Sequence, residues 1–178
     1  PSIDIVVENL NSRKLNILEV NPSTVILNNL ISSVIESSAL NLSYDYTLAH
    51  PAPNDLPDEV KNNDLKITEW NLKQSALSSG SSSFDLVVYK DVYSTPTTSN
   101  GFSLEALLNS FYSATKENGF VLALLRTRLT PPENFVYTIG DYVTPNKREE
   151  EFVKNAEKVG FSVVSSQSDS TTYSFVLL

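Results

Sequence analysis

The sequence contains no cysteine and no methionine among its 178 residues. The lack of cysteine excludes a disulfide, a thiolate metal ligand and a cysteine nucleophile. The lack of methionine means that the chain, which begins at Pro1, has no initiator of its own. Either processing removed it or the chain is a segment cut from a longer multidomain polypeptide. The second interpretation is favoured, because the first predicted strand follows soon after the start.

Positive charge is also scarce. The chain has 13 Lys and Arg against 21 Asp and Glu, which gives a net charge of −8 at pH 7. This charge disfavours a nucleic acid or an anionic membrane as a partner. No apolar run approaches the roughly 20 residues needed to span a bilayer, and no signal peptide is visible. The length predicts a single domain over residues 1–178 with a complete core.

Glycine is the absence that bears most directly on function, since the chain has only five, none of them between residues 15 and 37. The apolar run Leu15–Val20 predicts a strand covered on both faces. From Val25 to about residue 37, apolar residues recur on one face of a helix. A strand that leads into a helix near the start of an α/β chain usually binds a nucleotide, and glycines there let the backbone approach the ligand. Here Asn21 and Pro22 form the turn and favour helix capping by the chain itself.

The rest of the chain alternates strands with helices. The predicted strands after the first are Asn41–Thr47, Leu65–Trp70, Phe84–Tyr89, Phe120–Leu125, Phe161–Ser165 and Tyr173–Leu178. The predicted helices after the first are a short one from Pro57, one capped by Ser103 and closed by Asn118 and Gly119, and one capped by Asn146 and closed by Gly160. Residues 1–11 favour the end of a helix over a short strand. Residues 73–83, 92–101 and 126–145 are predicted as loops.

The turn between the last two strands is short enough for a hairpin, so this pair is predicted to be antiparallel. The order as a whole predicts a doubly wound, Rossmann-like mixed α/β sheet of about seven strands, with the last strand antiparallel.

This layout resembles the class I S-adenosylmethionine-dependent methyltransferases, whose seventh strand is inserted antiparallel. Glu19 matches the acid that closes strand one in that family. Residues 84–88 are similar to the family's strand-four motif, and residues 116–122 to its turn into strand five. The positions of the family's glycines fall on Asn21, Ser23 and Val25.

A narrower resemblance is to the inactive pseudo-methyltransferase domain of animal fatty acid synthase. The residues that carry it are Leu42–Tyr44, Thr47 and the pair His50 and Pro51, in the region of strand two. The segment around Trp70 and the final strand pair, residues 161–178, are also similar.

The resemblance implies that no cofactor binds to this segment. Asn21, Ser23 and Val25 place side chains where the family's loop has none, and a β-branched residue cannot adopt the positive φ that glycine tolerates. The acid that would hold a ribose falls on Leu48, so the ribose hydroxyls would lose hydrogen bonds at a cost of about 1–3 kcal/mol each. Glu19 has two interpretations, a cap for nearby amides or a vestigial binding role.

No catalytic residue is expected either. Carbon-methylating relatives in polyketide synthases use a histidine base supported by a carboxylate. The only histidine here is His50, for which a structural role in a loop is favoured. Asp85 and Asp91 flank strand four, and a solvated or capping carboxylate is favoured for both. No metal site is predicted.

The resemblance therefore implies a non-catalytic, architectural domain of a multifunctional fatty acid synthase. The parent would be a cytoplasmic homodimer that makes fatty acids from malonyl-CoA, with NADPH and phosphopantetheine bound only by its other domains. The partners of this segment would be neighbouring domains of the same polypeptide, with no nucleic acid and no membrane. The alternatives are an active methyltransferase with an atypical cofactor loop and a stand-alone protein-interaction module. A dehydrogenase is disfavoured because its fingerprint also needs glycines after strand one.

Overall fold

A computed structural model describes residues 14–20, 27–37, 42–50, 52–61, 65–70, 83–91, 104–126, 145–168 and 173–177. The strands are β1 (Lys14–Val20), β2 (Ser43–His50), β3 (Lys66–Glu69), β4 (Phe84–Asp91), β5 (Thr115–Arg126), β6 (Ser165–Ser168) and β7 (Tyr173–Leu177). The helices are α1 (Asn28–Ser37), α2 (Asp58–Lys61), α3 (Leu104–Ala114) and α4 (Pro145–Val159), and a 3-10 turn, Pro53–Asp55, precedes α2. The predicted alternation of strands and helices is confirmed in these ranges.

The described strands form one sheet of seven in the order β3-β2-β1-β4-β5-β7-β6. The first five strands run parallel to one another, and β7 lies antiparallel between β5 and β6. The predicted doubly wound, mixed sheet with an antiparallel last strand is therefore confirmed. The strand order reverses between β1 and β4, and open α/β sheets bind ligands at the carboxyl ends of the strands beside such a point.

Helices pack on both faces of the sheet because its inner strands are apolar on both sides. On one face, Leu18 and Val20 of β1 pack with Phe111 of α3 and Phe152 of α4. On the other face, the alternate β1 residues Leu15 and Ile17 pack with Ile31 and Ile35 of α1. Alternate residues of β1 therefore face two separate cores. Glu19, near the carboxyl end of β1, points to the same face of the sheet as α1.

The connection between α3 and β5 differs from the prediction. The helix ends at Ala114 rather than near Asn118, because the Ala114 carbonyl accepts a hydrogen bond from Ser83 N–H at 2.9 Å. Thr115 then pairs with Phe84, and the register shifts before the next pair. The turn predicted at Asn118 and Gly119 is present as this irregularity in the pairing of β4 with β5. Asn118 adopts a left-handed φ of 62° there.

The last helix agrees with the prediction except at its start, and the antiparallel pairing of the last two strands is confirmed. Helix α4 begins at Pro145, one residue before the predicted cap Asn146, which suits proline's fixed φ. It closes at Gly160 as predicted, with φ of 116° and N–H groups bonded back into the last turn. The strand predicted at Phe161–Ser165 is wrong, because residues 161–164 form no strand and β6, Ser165–Ser168, occupies residues that were predicted as the turn.

The remaining sequence predictions lie outside the described residues. These are the helix in residues 1–11, the Asn21–Pro22 turn, the cap Ser103, the loop at 92–101, and residues 73–82 and 127–144 of the loops predicted at 73–83 and 126–145.

Candidate functional site

The carboxyl ends of β1 and β2 are the candidate site, because they lie beside the point where the strand order reverses. The two strands are paired in register, so that Glu19 of β1 lies next to Leu48 of β2. The structure thus brings together two of the positions singled out in the sequence. The other three, Asn21, Ser23 and Val25, lie outside the described residues.

The Glu19 carboxylate is completely buried and bonded to groups of the chain itself. Both of its oxygens lie 3.0 Å from Leu27 N, just before the first residue of α1. Its Oε2 also accepts a hydrogen bond of 2.6 Å from the hydroxyl of Tyr46 on β2. A carboxylate near a helix N-terminus is stabilised by these amides and by the helix dipole. Of the two interpretations of Glu19, the structure supports the amide cap.

Tyr46 is the residue that sequence reasoning missed. Burial and, next to it, the negative charge of Glu19 raise the pKa of Tyr46 far above its usual value. The phenol therefore stays protonated and donates to the carboxylate, a charge-assisted hydrogen bond of the strong kind. The alternation of Tyr44 and Tyr46 along β2 was the available signal, since it places both rings on the face towards α1.

Leu48 is enclosed in an apolar cluster. It is 0% exposed and packs with Leu56 and Val60, from the 3-10 turn and α2, and with Ile67 of β3. The short helix α2 therefore covers the position where the family's ribose acid would stand. No hydrogen-bond acceptor is presented there by the Leu48 side chain.

His50 is the last residue of β2 and is 5% exposed. Its Nδ1 accepts a hydrogen bond from Ala52 N–H at 3.1 Å, which assigns the ring proton to Nε2. Among the described residues Nε2 has no hydrogen-bond partner, and neither has Nε1 of Trp70. His50 thus lies at the end of β2 rather than in the predicted loop, and its ring accepts a hydrogen bond from the backbone just beyond the strand.

Asp85 lies at the amino end of β4. It is therefore at the opposite edge of the sheet from the candidate site, which lies at the carboxyl ends of the strands. Its carboxylate accepts hydrogen bonds of 2.8 Å from Asn16 N–H and from the Lys116 ammonium. The predicted capping role of Asp85 is thus supported, as a cross-link between β1, β4 and β5. Asp91 ends β4 and pairs through its backbone with Leu125.

The described part of the chain contains neither a cluster of metal-binding side chains nor a helix that could span a membrane. No three His, Asp or Glu side chains come close enough there to hold a metal ion. None of the helices in those ranges has the length and apolar character needed to cross a bilayer.

Comparison with known proteins gives a fold but no family. No protein-family model and no curated protein matches the sequence. Among solved structures, the trans-methyltransferase CalH in complex with SAH is similar with a TM-score of 0.73 and 14% identity, over 97% of this chain and 53% of that one. The CMeT domain of the citrinin polyketide synthase has a TM-score of 0.69 and 15% identity, over 98% and 49% of the two chains.

A SAM-dependent methyltransferase from Aquifex aeolicus is similar with a TM-score of 0.66 and 9% identity, over 99% of this chain and 87% of that one. The present chain spans about half the length of CalH and of the polyketide synthase domain. At these identities the similarity shows the fold, which is the Rossmann-like fold of class I methyltransferases.

Proposed function

We propose that this chain is a non-catalytic, methyltransferase-like domain with an architectural role in a multifunctional fatty acid synthase. The burial of Leu48 carries the non-catalytic part of the proposal. Leu48, to which the sequence resemblance assigns the ribose acid, is an apolar side chain that is 0% exposed and covered by Leu56 and Val60, and it lies two residues before the end of β2.

The described residues at the carboxyl edge do not fit S-adenosylmethionine. A ribose placed at Leu48 would leave two hydroxyls without their carboxylate acceptor, at about 1–3 kcal/mol each. The loss of affinity would be roughly 30-fold or more. Glu19 does not compensate, because it is 0% exposed and its carboxylate points inwards to Leu27 N–H and the Tyr46 hydroxyl. No reaction step through the cofactor is therefore assigned to this chain.

The proposed parent rests on the sequence resemblance to the pseudo-methyltransferase domain of fatty acid synthase. It gains support from the similarity in fold to a domain of a polyketide synthase, another multidomain enzyme. In this proposal the domain packs against neighbouring domains of the same polypeptide, in a cytoplasmic homodimer. NADPH and phosphopantetheine are bound by other domains of that parent.

Calorimetric titration of the chain with S-adenosylmethionine tests the non-catalytic part. We expect no heat of binding and no thermal shift at millimolar ligand. A site filled at about 100 times its dissociation constant would stabilise the fold by roughly 2.7 kcal/mol, which a thermal shift detects easily. The Aquifex aeolicus methyltransferase, similar in fold, is the matched positive control. Micromolar binding would overturn the proposal.

The alternative is an active methyltransferase with an atypical cofactor loop. The observation that favours it is the acid Glu19, retained at the end of β1 in a fold shared with an enzyme solved in complex with SAH. Binding in the same titration, followed by methyl transfer to an acceptor, would establish it.

The mass of the native protein tests the proposed parent. An antibody raised against residues 1–178 should detect, in the source cells, a polypeptide far larger than the 19.7 kDa of this chain. A native protein of that smaller mass would instead favour a stand-alone interaction module.

A further inference from the structure

The segment of residues 52–61 lies over the end of β2 and consists of the 3-10 turn and α2 with the residues beside them. Two of its side chains are buried, Leu56 at 2% and Val60 at 8% exposure. They pack with Leu48 and Ile67, and among the described residues this apolar cluster has no other member. Most of the other residues of the segment are exposed. The segment is therefore a thin cover, attached to the sheet by two apolar side chains and open to solvent on its outer side.

The hydrogen bonds of this segment hold it together rather than to the sheet. Four of its backbone amides donate to carbonyls of the same segment, at 2.9 to 3.3 Å. Lys61 Nζ also donates to Asn54 O at 2.7 Å, which joins the helix to the 3-10 turn. In the described part of the chain, the one hydrogen bond between the segment and the sheet runs from Ala52 N–H to Nδ1 of His50, at 3.1 Å. The segment can therefore leave the sheet with its own hydrogen bonds intact.

His50, at the start of this cover, has a buried donor without an acceptor. It points to the same face of the sheet as Leu48, because alternate residues of a strand share a face, and it is 5% exposed. Its Nε2, which carries the ring proton, has no hydrogen-bond partner among the described residues. Such a donor destabilises the closed state, and water satisfies it once the cover is removed. The strand below stays in place, since β2 is held by backbone pairing with β1 and β3.

We propose that residues 52–61 are a lid that opens as one unit over the end of β2 while the sheet stays folded. Opening withdraws Leu56 and Val60 from the apolar cluster and exposes Leu48 and the His50 ring to solvent. Because few contacts are lost, the open state forms far more often than the unfolded state. Opening uncovers Leu48 without placing a carboxylate there, so the lid neither requires nor contradicts the non-catalytic role proposed above.

Native-state hydrogen exchange, measured on the whole chain in urea below its unfolding transition, tests whether the lid opens by itself. The four hydrogen-bonded amides of the lid should exchange at rates that change little with urea, because a local opening exposes little surface. The central amides of β4 should exchange faster as urea increases, because their exchange requires global unfolding. The proposal is wrong if the lid amides follow the urea dependence of β4.

A matched pair of leucine substitutions separates the lid from the rest of the core. L56A removes a buried side chain of the lid and should speed exchange of the lid amides about 30-fold or more, as expected for a leucine-to-alanine change in a packed cluster. L108A removes a leucine of α3 that is 0% exposed in the other core. It should speed exchange of the β4 amides and leave the lid amides unchanged, because the lid opens without disturbing that core. If L108A speeds the lid amides as much as those of β4, the lid has no opening of its own.

Chemical modification of His50 gives a second readout, since the chain has a single histidine. Diethyl pyrocarbonate acylates imidazole nitrogens. It should modify His50 slowly in the wild type and about 30-fold or more faster in L56A, because the reagent reaches the ring only when the lid is open. L108A should react as slowly as the wild type. Equal rates in L56A and the wild type would show that the lid does not control access to His50, and the proposal would be overturned.

Discussion

The bond between Tyr46 and Glu19 offers the sharpest test of how the candidate site is built. The substitution Y46F removes the hydroxyl and leaves the ring in place. Tyr46 is 6% exposed and Glu19 is 0% exposed, so water cannot replace the lost donor without rearrangement. A hydrogen bond to a charged group contributes about 1.5–3 kcal/mol. Since Leu27 N–H still caps the carboxylate, we expect a loss of about 2 kcal/mol at pH 7 in equilibrium urea unfolding.

The pH dependence of the same variant gives the prediction a second, independent part. The raised pKa of Tyr46 means that the native protein keeps the phenol proton after the unfolded chain, with a pKa near 10, has lost it. The stabilisation that results from the raised pKa of Tyr46 is fully present below pH 10 and is lost progressively as the pH rises above it. Wild-type stability should fall by about 1.4 kcal/mol per pH unit from this group alone. The Y46F variant lacks that dependence, so the free energies of unfolding of the variant and the wild type should converge and cross at about pH 11.5.

The control is Y112F, because Tyr112 is 51% exposed and is not part of the buried core. This variant should lie within about 0.5 kcal/mol of the wild type at pH 7. The reasoning would be refuted if Y46F were as stable as Y112F at pH 7. It would also be refuted if the difference between Y46F and wild type stayed constant from pH 9 to pH 11.5.

Further substitutions test the packing around β4 and β5. G119A should destabilise the fold by about 1–3 kcal/mol in urea unfolding, because the added Cβ would lie 2.8 Å from Thr115 Cγ2 and 3.1 Å from the Asp85 carbonyl oxygen; an unchanged midpoint would contradict this close packing. D85N should cost about 1 kcal/mol, since the amide oxygen can still accept from Asn16 N–H while the pair with partly exposed Lys116 is lost. That loss should shrink in high salt, and a loss independent of salt would show that the Lys116 pair is not its source.

The non-catalytic interpretation depends on where the chain directs its own polar groups. In the described part of the site, Glu19 is directed inwards to Leu27 and Tyr46, and Leu48 is sealed by an apolar cluster. A site that binds a diol needs acceptors directed outwards, and neither residue provides one. Under this interpretation the fold persists without the ligand, because its stability depends on the core rather than on the crevice.

Local patterns determined much of the architecture. The apolar run Leu15–Val20, the glycine stop at Gly160 and the short last turn are sufficient to predict a mixed α/β sheet with an antiparallel end. Each of these signals acts over a few residues, so it can be identified without knowing what packs against it. The missing glycines and the apolar Leu48 predict a degenerate cofactor site, and Asn21, Ser23 and Val25 of that prediction lie outside the described residues.

Only the tertiary structure decided which groups those residues meet. Tyr46 donates to Glu19 across 27 positions, and Asn16 N–H reaches Asp85 across 69. The helix ends at Ala114, four residues before the predicted stop at Asn118, and the Ala114 carbonyl accepts a hydrogen bond from the amide of Ser83, which precedes β4. Hydrogen bonds between distant segments depend on strand order and register, and these are set only when the whole core packs. A short stretch of sequence does not contain both partners of such a bond, so it cannot predict the bond.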